Sequence, residues 1–384
     1  MEFWDSLFGL GEFALDKVFS LLVVLTIVVF IHELGHFLVA RWCGVRIDAF
    51  SIGFGPELFG FNDKRGTRWR FAIIPLGGYV KFAGDNNGAS VPDHETLAQM
   101  SDEDKEGAFH LKPLWQRASV VAAGPIANFI LAIAIFAGLF MISGKQFTPA
   151  RADAVIAGSA AEAGGFKAGD LILSIDGNPV ESFFDVRRTV STRADEELSF
   201  EVRRGEEVIT LKATPKPSVA EGTLARGKVG LLGIQQTRNP DELIIKHYGP
   251  LEALSLGVAE SWGIVEDTFH FLGRMFTGKQ SADQLSGPIG IADMVGKAAS
   301  ANWSWLIPLT AALSVSIGLI NLFPIPILDG GHLMFYLAEA IRGRPLSEGT
   351  QEIAFRLGFT AIILLLVFVS WNDIRLSGFS WGGG

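Results

Sequence analysis

The sequence predicts a polytopic α-helical membrane protein with four transmembrane helices, a membrane-associated β region on the cytoplasmic side and one compact α/β domain on the other side. Three observations indicate this fold class. Apolar residues make up 49% of the 384 residues, four long stretches are almost free of charge, and short β-type runs cluster between the second and third stretches. Apolar runs of bilayer length, about 20 residues, are not typical of soluble proteins.

The four candidate spans are defined by these apolar runs. They cover residues 18–40, 118–143, 305–323 and 357–371. The second span contains Gly124-Pro125, which a membrane helix tolerates where neighbouring helices cover the freed backbone groups. The fourth is short, and we expect it either to extend backward through 352–356 or to sit in a thin region of the bilayer.

Basic residues predict how the spans are oriented. No Lys or Arg precedes Lys17, whereas the loops after the first and third spans are rich in them. These loops, with the start of the second span, carry Arg41, Arg46, Lys64, Arg65, Arg68, Arg70, Arg117, Arg342 and Arg344. By the positive-inside rule they are cytoplasmic. Both termini and residues 144–302 are then expected in the periplasm of a bacterial inner membrane.

This interpretation divides the chain into eight segments. They are a first transmembrane helix (1–45), a β-hairpin region at the membrane (46–84), a polar, solvated cytoplasmic loop (85–116), a second transmembrane helix (117–144), the compact α/β domain (145–216), a periplasmic region with an amphipathic helix at 251–276 (217–302), a third transmembrane helix with a broken segment (303–345), and a fourth with a C-terminal tail (346–384). The amphipathic helix is expected either to lie on the membrane surface or to pack on the α/β domain. SGPIGI at 286–291 is expected to form a turn.

Charge and cysteine content exclude several classes of function. The net charge of −9 gives no electrostatic support for nucleic-acid binding. Cys43 is the single cysteine, which excludes intramolecular disulfides and Cys-rich zinc sites. The N-terminus lacks a basic region and a small-residue cleavage site, so we expect the first span to be retained.

The first span contains His-Glu-Leu-Gly-His at 32–36, and His32, Glu33 and His36 are its only ionisable residues between 18 and 40. Residues four apart share a helix face, so the two imidazoles can bind one metal ion with Glu33 beside it. An ionisable residue at bilayer depth costs several kcal/mol, which indicates a functional role. The alternative is a pair of buried histidines bonded to neighbouring helices, with Glu33 as a buried partner.

A third metal ligand is expected from another span, because catalytic zinc usually has three protein ligands and one open position. The best candidate is Asp329 in NLFPIPILDGGH, residues 321–332. Pro324 and Pro326 interrupt the third helix and Gly330-Gly331 is expected to turn tightly, which opens a polar cavity at membrane depth. The alternative is an ordinary loop end with a capping Asp.

Two further residues compete with Asp329 for this role. His332 lies three positions away and is expected to be at most an outer partner of the site. Glu339 can pair with Arg342 at i, i+3, which explains it structurally.

The motif also predicts a reaction. Zinc makes a bound water acidic enough to act as a nucleophile, and Glu33 is expected to take its proton and deliver one to the leaving amine. Asn321, one turn before Pro324, is expected to donate a hydrogen bond to the substrate carbonyl or its oxyanion. Its alternative role is a hydrogen bond between spans.

Two resemblances complete this interpretation. The stretch GSAAEAGGFKAGDLILSIDGNPV at 158–180 resembles the PDZ fold, in particular the permuted PDZ domains of bacterial proteases, although a generic small sandwich is an alternative. With HELGH in the first span and NLFPIPILDGGH in the third, nearly the whole chain resembles the site-2 proteases, M50-type zinc intramembrane metalloproteases, and most closely the bacterial regulator of sigma-E protease type. This chain differs in having one PDZ unit instead of two.

The resemblance implies zinc bound by His32, His36 and Asp329, with Glu33 as catalytic base and Asn321 in substrate handling. It also implies substrates that are transmembrane proteins of the anti-sigma factor type, first cut by an upstream site-1 protease, and remnant signal peptides. Two rival functions are a non-catalytic membrane scaffold with a PDZ-like domain and a metal or proton transporter that uses the His/Glu cluster as a relay.

Overall fold

A computed structural model describes residues 2–85, 99–180, 182–219, 228–236, 244–277 and 285–376. The helices are α1 (Glu2–Trp42), α2 (Asp102–Glu106), α3 (Leu114–Ile142), α4 (Ala160–Ala163), α5 (Phe183–Thr192), α6 (Pro250–Phe276), α7 (Pro288–Ala301), α8 (Leu306–Asn321), α9 (Asp329–Arg342) and α10 (Glu348–Leu376), with 3-10 turns at Phe109–Leu111 and Trp303–Trp305. The strands are β1 (Ile47–Asn62), β2 (Arg68–Phe82), β3 (Lys145–Phe147), β4 (Ala154–Val155), β5 (Leu171–Ile175), β6 (Asn178–Pro179), β7 (Leu198–Arg204), β8 (Glu207–Ala213), β9 (Lys216–Val219), β10 (Lys228–Leu231), β11 (Ile234–Gln235) and β12 (Ile244–Lys246). The chain forms two compact units, of which the first holds 1–137, 254–267 and 285–384.

Four of the described helices are long and apolar enough to cross a membrane, which confirms the predicted number of spans. Their candidate spans are Lys17–Trp42, Leu114–Ile142, Trp303–Asn321 and Gly349–Arg375. The fourth has 27 residues, because α10 extends beyond both ends of the predicted 357–371 run. Leu364 and Val367 of α10 are 64% and 60% exposed, as expected for side chains that face lipid.

Within the first unit, α7 connects the start of the first span with the end of the fourth span. Lys17 Nζ lies 2.6 Å from Asp293 of α7. The Asp373 carboxylate at the end of α10 accepts backbone hydrogen bonds from Gly287 and Gly290, at 3.0 and 2.8 Å. SGPIGI is therefore the start of helix α7, capped by a distant carboxylate, and the turn expected there is wrong.

The opposite ends of the spans also meet one another. The backbone N–H of Arg46, after the first span, donates to the carbonyl of Gly107 at 2.8 Å. Arg117, at the start of the second span, forms an ion pair with Glu339 of α9 at 2.5 Å. The prediction that Glu339 pairs with Arg342 is therefore wrong: Glu339 faces α3 and pairs with Arg117 there. These contacts fit spans that alternate in direction.

The β-leaning stretch after the first span folds into more than a simple hairpin. Residues 49–52 of β1 pair on both sides, antiparallel with 78–81 and in parallel register with 68–71, so the two strands make four segments in the order 78–82, 47–52, 68–72, 57–62. Phe50 is fully buried, and its ring lies 5.2 Å from that of Phe37 in α1. The sheet therefore packs on the helix that carries HELGH.

Part of the predicted loop 85–116 packs on the β1–β2 sheet around Phe109, whereas Ser101, Glu106, Leu111 and Trp115 are exposed. Phe109 is 1% exposed, and its ring stacks 4.7 Å from that of Phe82. His110 lies 2.8 Å from the buried carboxylate of Asp85. Aromatic burial next to the β1–β2 sheet outweighs the polar composition of the segment. Residues 86–98 lie outside the described part.

The second unit is built on a four-stranded antiparallel sheet in the order β6-β5-β7-β8. The β-type runs predicted at 171–175, 198–202 and 208–211 lie in strands, and β4 covers the first two residues of the run predicted at 154–156. Its core extends past residue 216, since Leu232 packs with Phe200 and β11 pairs with β4. A fully covered carboxylate, Asp170, receives two hydrogen bonds of 2.7 Å from Arg204.

Candidate metal centre

Helix α1 brings the two histidines of HELGH onto one face. His32 and His36 are 8% and 9% exposed, and their ring centroids are 4.8 Å apart. Their Nε2 atoms are separated by 3.2 Å. The i, i+4 spacing therefore places the two nitrogen atoms where they can face one metal ion, as the sequence predicted.

The break between α8 and α9 brings a carboxylate to the same point. Asp329 is the first residue of α9, and its Oδ2 lies 3.1 Å from His32 Nε2 and 3.5 Å from His36 Nε2. Leu328 is the N-cap of α9, and no side-chain hydrogen bond caps the helix. The carboxylate thus points at the histidines instead of capping its own helix.

These three atoms fit a zinc ion. Zinc bonds of about 2.0–2.1 Å in a tetrahedral arrangement separate the ligand atoms by roughly 3.3 Å, and the observed separations are 3.1, 3.2 and 3.5 Å. Oδ2 of Asp329 is buried and has no hydrogen-bond partner among the described residues, which is costly unless a cation satisfies it. His32, His36 and Asp329 are the group of candidate metal ligands in the described residues.

Small residues let α3 approach this centre. A Cβ on Gly124 would lie 2.3 Å from His36 Nε2, and one on Gly35 would lie 2.3 Å from the carbonyl oxygen of Ala123. Any larger residue at position 124 would occupy the space of the imidazole. Gly124 is therefore part of the site geometry, a role that the Gly-Pro pattern did not reveal.

Gly330 and Gly331 serve close packing, which corrects the tight turn expected from them. Both belong to the first turn of α9 and neither has a positive φ. A Cβ on Gly330 would lie 2.3 Å from the Leu322 carbonyl oxygen, and one on Gly331 would lie 2.3 Å from that of Ile325. The 322–328 segment can fold against α9 only because these side chains are absent.

Helix α3 also contacts the far side of each imidazole ring. His36 Nδ1 lies 2.8 Å from the carbonyl oxygen of Val120. An Nδ1–H bonded there leaves Nε2 with a free lone pair for a metal. Asn128 Nδ2 lies 3.3 Å from His32 Nδ1. The sequence analysis missed Asn128, although it is the only amide side chain in the predicted span 118–143.

Glu33 stands between the histidines and the β1–β2 sheet. A Cβ on Gly78 would lie 3.4 Å from Glu33 Cγ, so the edge segment 78–82 runs directly beside this side chain. The arrangement holds a carboxylate next to both the candidate ligands and the edge segment of the sheet.

The remaining predicted residues lie nearby in different settings. Asn321 is the last residue of α8 and is half-buried, and its side chain makes no hydrogen bond to any part of the chain that is described. The alternative of a hydrogen bond between spans therefore has no partner among those residues. The His332 ring lies 5.5 Å from that of Phe355 in α10, outside the group of candidate ligands.

Comparison with known proteins adds independent information. The model of "Peptidase family M50" matches residues 20–366. A protein of Rhizobium meliloti that is provisionally named a zinc metalloprotease is 49% identical over 357 residues, which are 93% of this chain and 96% of that protein. Metalloprotease MmpA of Caulobacter vibrioides is 42% identical over 392 residues, with 95% of this chain and 97% of that protein covered.

Proposed function

Because this chain belongs to peptidase family M50 and is a zinc metalloprotease, we propose that it hydrolyses peptide bonds inside the transmembrane segments of single-span proteins. The observation that carries this proposal is the convergence of three ligand atoms within 3.5 Å of one another, two of them on a helix apolar enough to cross a membrane. A soluble substrate would not require the site to lie on such a helix.

In this proposal His32, His36 and Asp329 hold the zinc ion. When bound, zinc supplies Lewis-acid chemistry that activates a water molecule and polarises the peptide carbonyl. Glu33 accepts the proton of the water and then delivers a proton to the leaving amine. Its position beside both the ligand atoms and segment 78–82 supports this role.

A transmembrane helix must unwind before its peptide bonds can be cut, so the enzyme needs a surface that holds an extended chain. Segment 78–82 is an edge of the β1–β2 sheet and lies beside Glu33. Added to this edge, a substrate segment would be held extended by backbone hydrogen bonds. Asn321 would donate a hydrogen bond to its carbonyl oxygen, and the absence of a side-chain partner among the described residues supports that role.

The proposed setting is the bacterial inner membrane, with both termini and the second unit in the periplasm and the metal centre toward the cytoplasm. Basic residues around the ends of the first two spans support this orientation. The second unit would be a PDZ-like domain that binds periplasmic ends of substrates. The proposed substrates are anti-sigma factors already cut by a site-1 protease, with remnant signal peptides as a second class, as in the regulator of sigma-E protease type.

The test is cleavage of a membrane-embedded reporter by Glu33→Gln protein. We expect loss of cleavage with zinc content unchanged, since Glu33 is not a proposed ligand. Glu352→Gln is the matched control, because that exposed carboxylate pairs with Arg356, one turn further along α10. Continued cleavage by Glu33→Gln would refute the protease mechanism. The same variant, kept in its native membrane, should retain uncut substrates for identification by mass spectrometry.

A further inference from the structure

Asn128 is a buried polar side chain of α3 that faces the metal centre. We propose that it is a positioning residue, whose amide oxygen accepts a hydrogen bond from Nδ1 of His32 and so keeps Nε2 free for the metal. The inference rests on the proposed ligand role of His32. Asn128 is 0% exposed, its amide contacts His32 Nδ1 at 3.3 Å, and its Oδ1 is buried without a hydrogen-bond partner.

The tautomer of His32 decides which end of the amide is needed. His32 Nε2 is the atom that faces Asp329 Oδ2 at 3.1 Å and His36 Nε2 at 3.2 Å. If Nε2 binds the metal, the ring proton must be on Nδ1, which then requires an acceptor. An amide N–H can only donate, so it suits the opposite tautomer.

A half-turn about the Cβ–Cγ bond exchanges the oxygen and nitrogen of the amide at nearly the same positions. It would bring Oδ1 to His32 Nδ1 and place Nδ2 where Oδ1 otherwise lies, a position without a hydrogen-bond partner among the described residues. Once the proton is on Nδ1, the unrotated amide would set one N–H donor against another, so the orientation that offers Oδ1 as the acceptor is favoured.

The rest of Asn128 is held firmly in place. Its backbone carbonyl accepts a hydrogen bond of 2.8 Å from the fully buried Ser314 of α8. A Cβ on Gly318 would lie 3.1 Å from the Cβ of Asn128, so α8 leaves little room behind it. The side chain can exchange its two ends but cannot move away from His32.

The partner of the second histidine supports the same role. His36 Nδ1 lies 2.8 Å from the backbone carbonyl of Val120, also on α3. A backbone carbonyl can only accept, so it fixes the proton of His36 on Nδ1. Helix α3 would thus orient both imidazoles, one through a carbonyl of its backbone and the other through an amide side chain.

The test compares zinc affinities of the full chain in detergent, measured by competition with a chelator of known affinity. Asn128→Leu has similar volume but no acceptor, and we expect its zinc dissociation constant to rise by about 10–100-fold. Asn128→Asp keeps an acceptor and should stay within about 3-fold of the wild type. Gly138→Ala lies in the same helix, with nothing within 4 Å of its added Cβ, and should bind zinc like the wild type.

Two results would overturn the role of Asn128: unchanged zinc affinity in Asn128→Leu, or equal losses in the Leu and Asp variants. The second result would mean that the amide acts through its N–H group or its packing. Asn128→Ala replaces the Leu variant if that protein does not fold, with the same loss expected. His32→Ala should lose zinc far more strongly. If His32→Ala keeps its zinc, the proposed metal centre is wrong. If His32→Ala loses zinc but Asn128→Leu binds it normally, only the proposed role of Asn128 is wrong.

Discussion

Replacing Gly124 with Ala is expected to displace His36, a proposed metal ligand, while leaving the helix that carries it intact. An added Cβ would lie 2.3 Å from His36 Nε2 and 2.9 Å from His32 Cε1. Non-bonded heavy atoms need about 3.5 Å, so the His36 ring must retreat by roughly 1 Å. Metal–ligand distances are held to about 0.2 Å, so His36 could no longer bind the same ion as His32 and Asp329.

The structure allows a lower limit to be set on the loss of zinc affinity in Gly124→Ala. The hydrogen bond of 2.8 Å between His36 Nδ1 and the Val120 carbonyl leaves the ring little freedom to restore its position. Removal of one of three ligands should weaken zinc binding by at least about 100-fold, or about 2.7 kcal/mol. The backbone favours the change, because Ala is better than Gly in a helix by about 0.5–1 kcal/mol.

The assay is zinc competition on the purified chain, with thermal unfolding as a check of the fold. Gly138→Ala is the matched control, since it lies in the same helix and nothing is within 4 Å of its added Cβ. It should retain the wild-type zinc affinity. If Gly124→Ala also binds zinc like the wild type, His36 is not held against α3 as a ligand and the proposed geometry is wrong.

Three further predictions concern stability, measured by thermal unfolding. Asp373→Ala removes two hydrogen bonds, of 3.0 and 2.8 Å, from the start of α7 and should cost about 1–3 kcal/mol; an unchanged midpoint would contradict this capping role. Asp170→Asn should cost about 2–3 kcal/mol, because the covered carboxylate loses its bidentate pair with Arg204, with zinc affinity unchanged. Burial raises the pKa of Asp170, but the hydrogen bonds and charge of Arg204 outweigh this effect and hold the pKa below its usual range. The pair should therefore stabilise the wild type at neutral pH, and this contribution to the free energy of unfolding should be lost as the pH falls through the lowered pKa. Glu339→Gln weakens the partly buried pair with Arg117 and should destabilise measurably, whereas loss of an exposed i, i+4 pair on α10 should have almost no effect.

Much of the candidate site followed from local sequence patterns. The i, i+4 spacing of His32 and His36 fixes their common face in any helix, and the prolines after Asn321 fix where the third span must break. The structure brings Asp329 to both histidines, as the spacing and the break predicted. Asn321 lies at the predicted helix end, and its contact with substrate stays a prediction.

Other features depended on which helix faces meet. Asn128 and Gly124 act on the histidines from α3, the partner of Glu339 is Arg117, and the glycines after Asp329 serve close packing instead of a turn. Each of these contacts joins residues that are distant in the sequence or involves a glycine, which has no side chain. The spacing of residues along the sequence therefore does not predict them.

The sequence by itself determined the number of spans, their basic flanks and the chemistry of the HELGH and LDGG segments. These depend on burial and on backbone periodicity, which act over one or two helical turns. Only the tertiary structure decided which groups surround the metal ligands and cap the distant helix ends. Those choices depend on how closely two helices approach, and that distance is set by a few small residues and buried polar groups contributed by both partners.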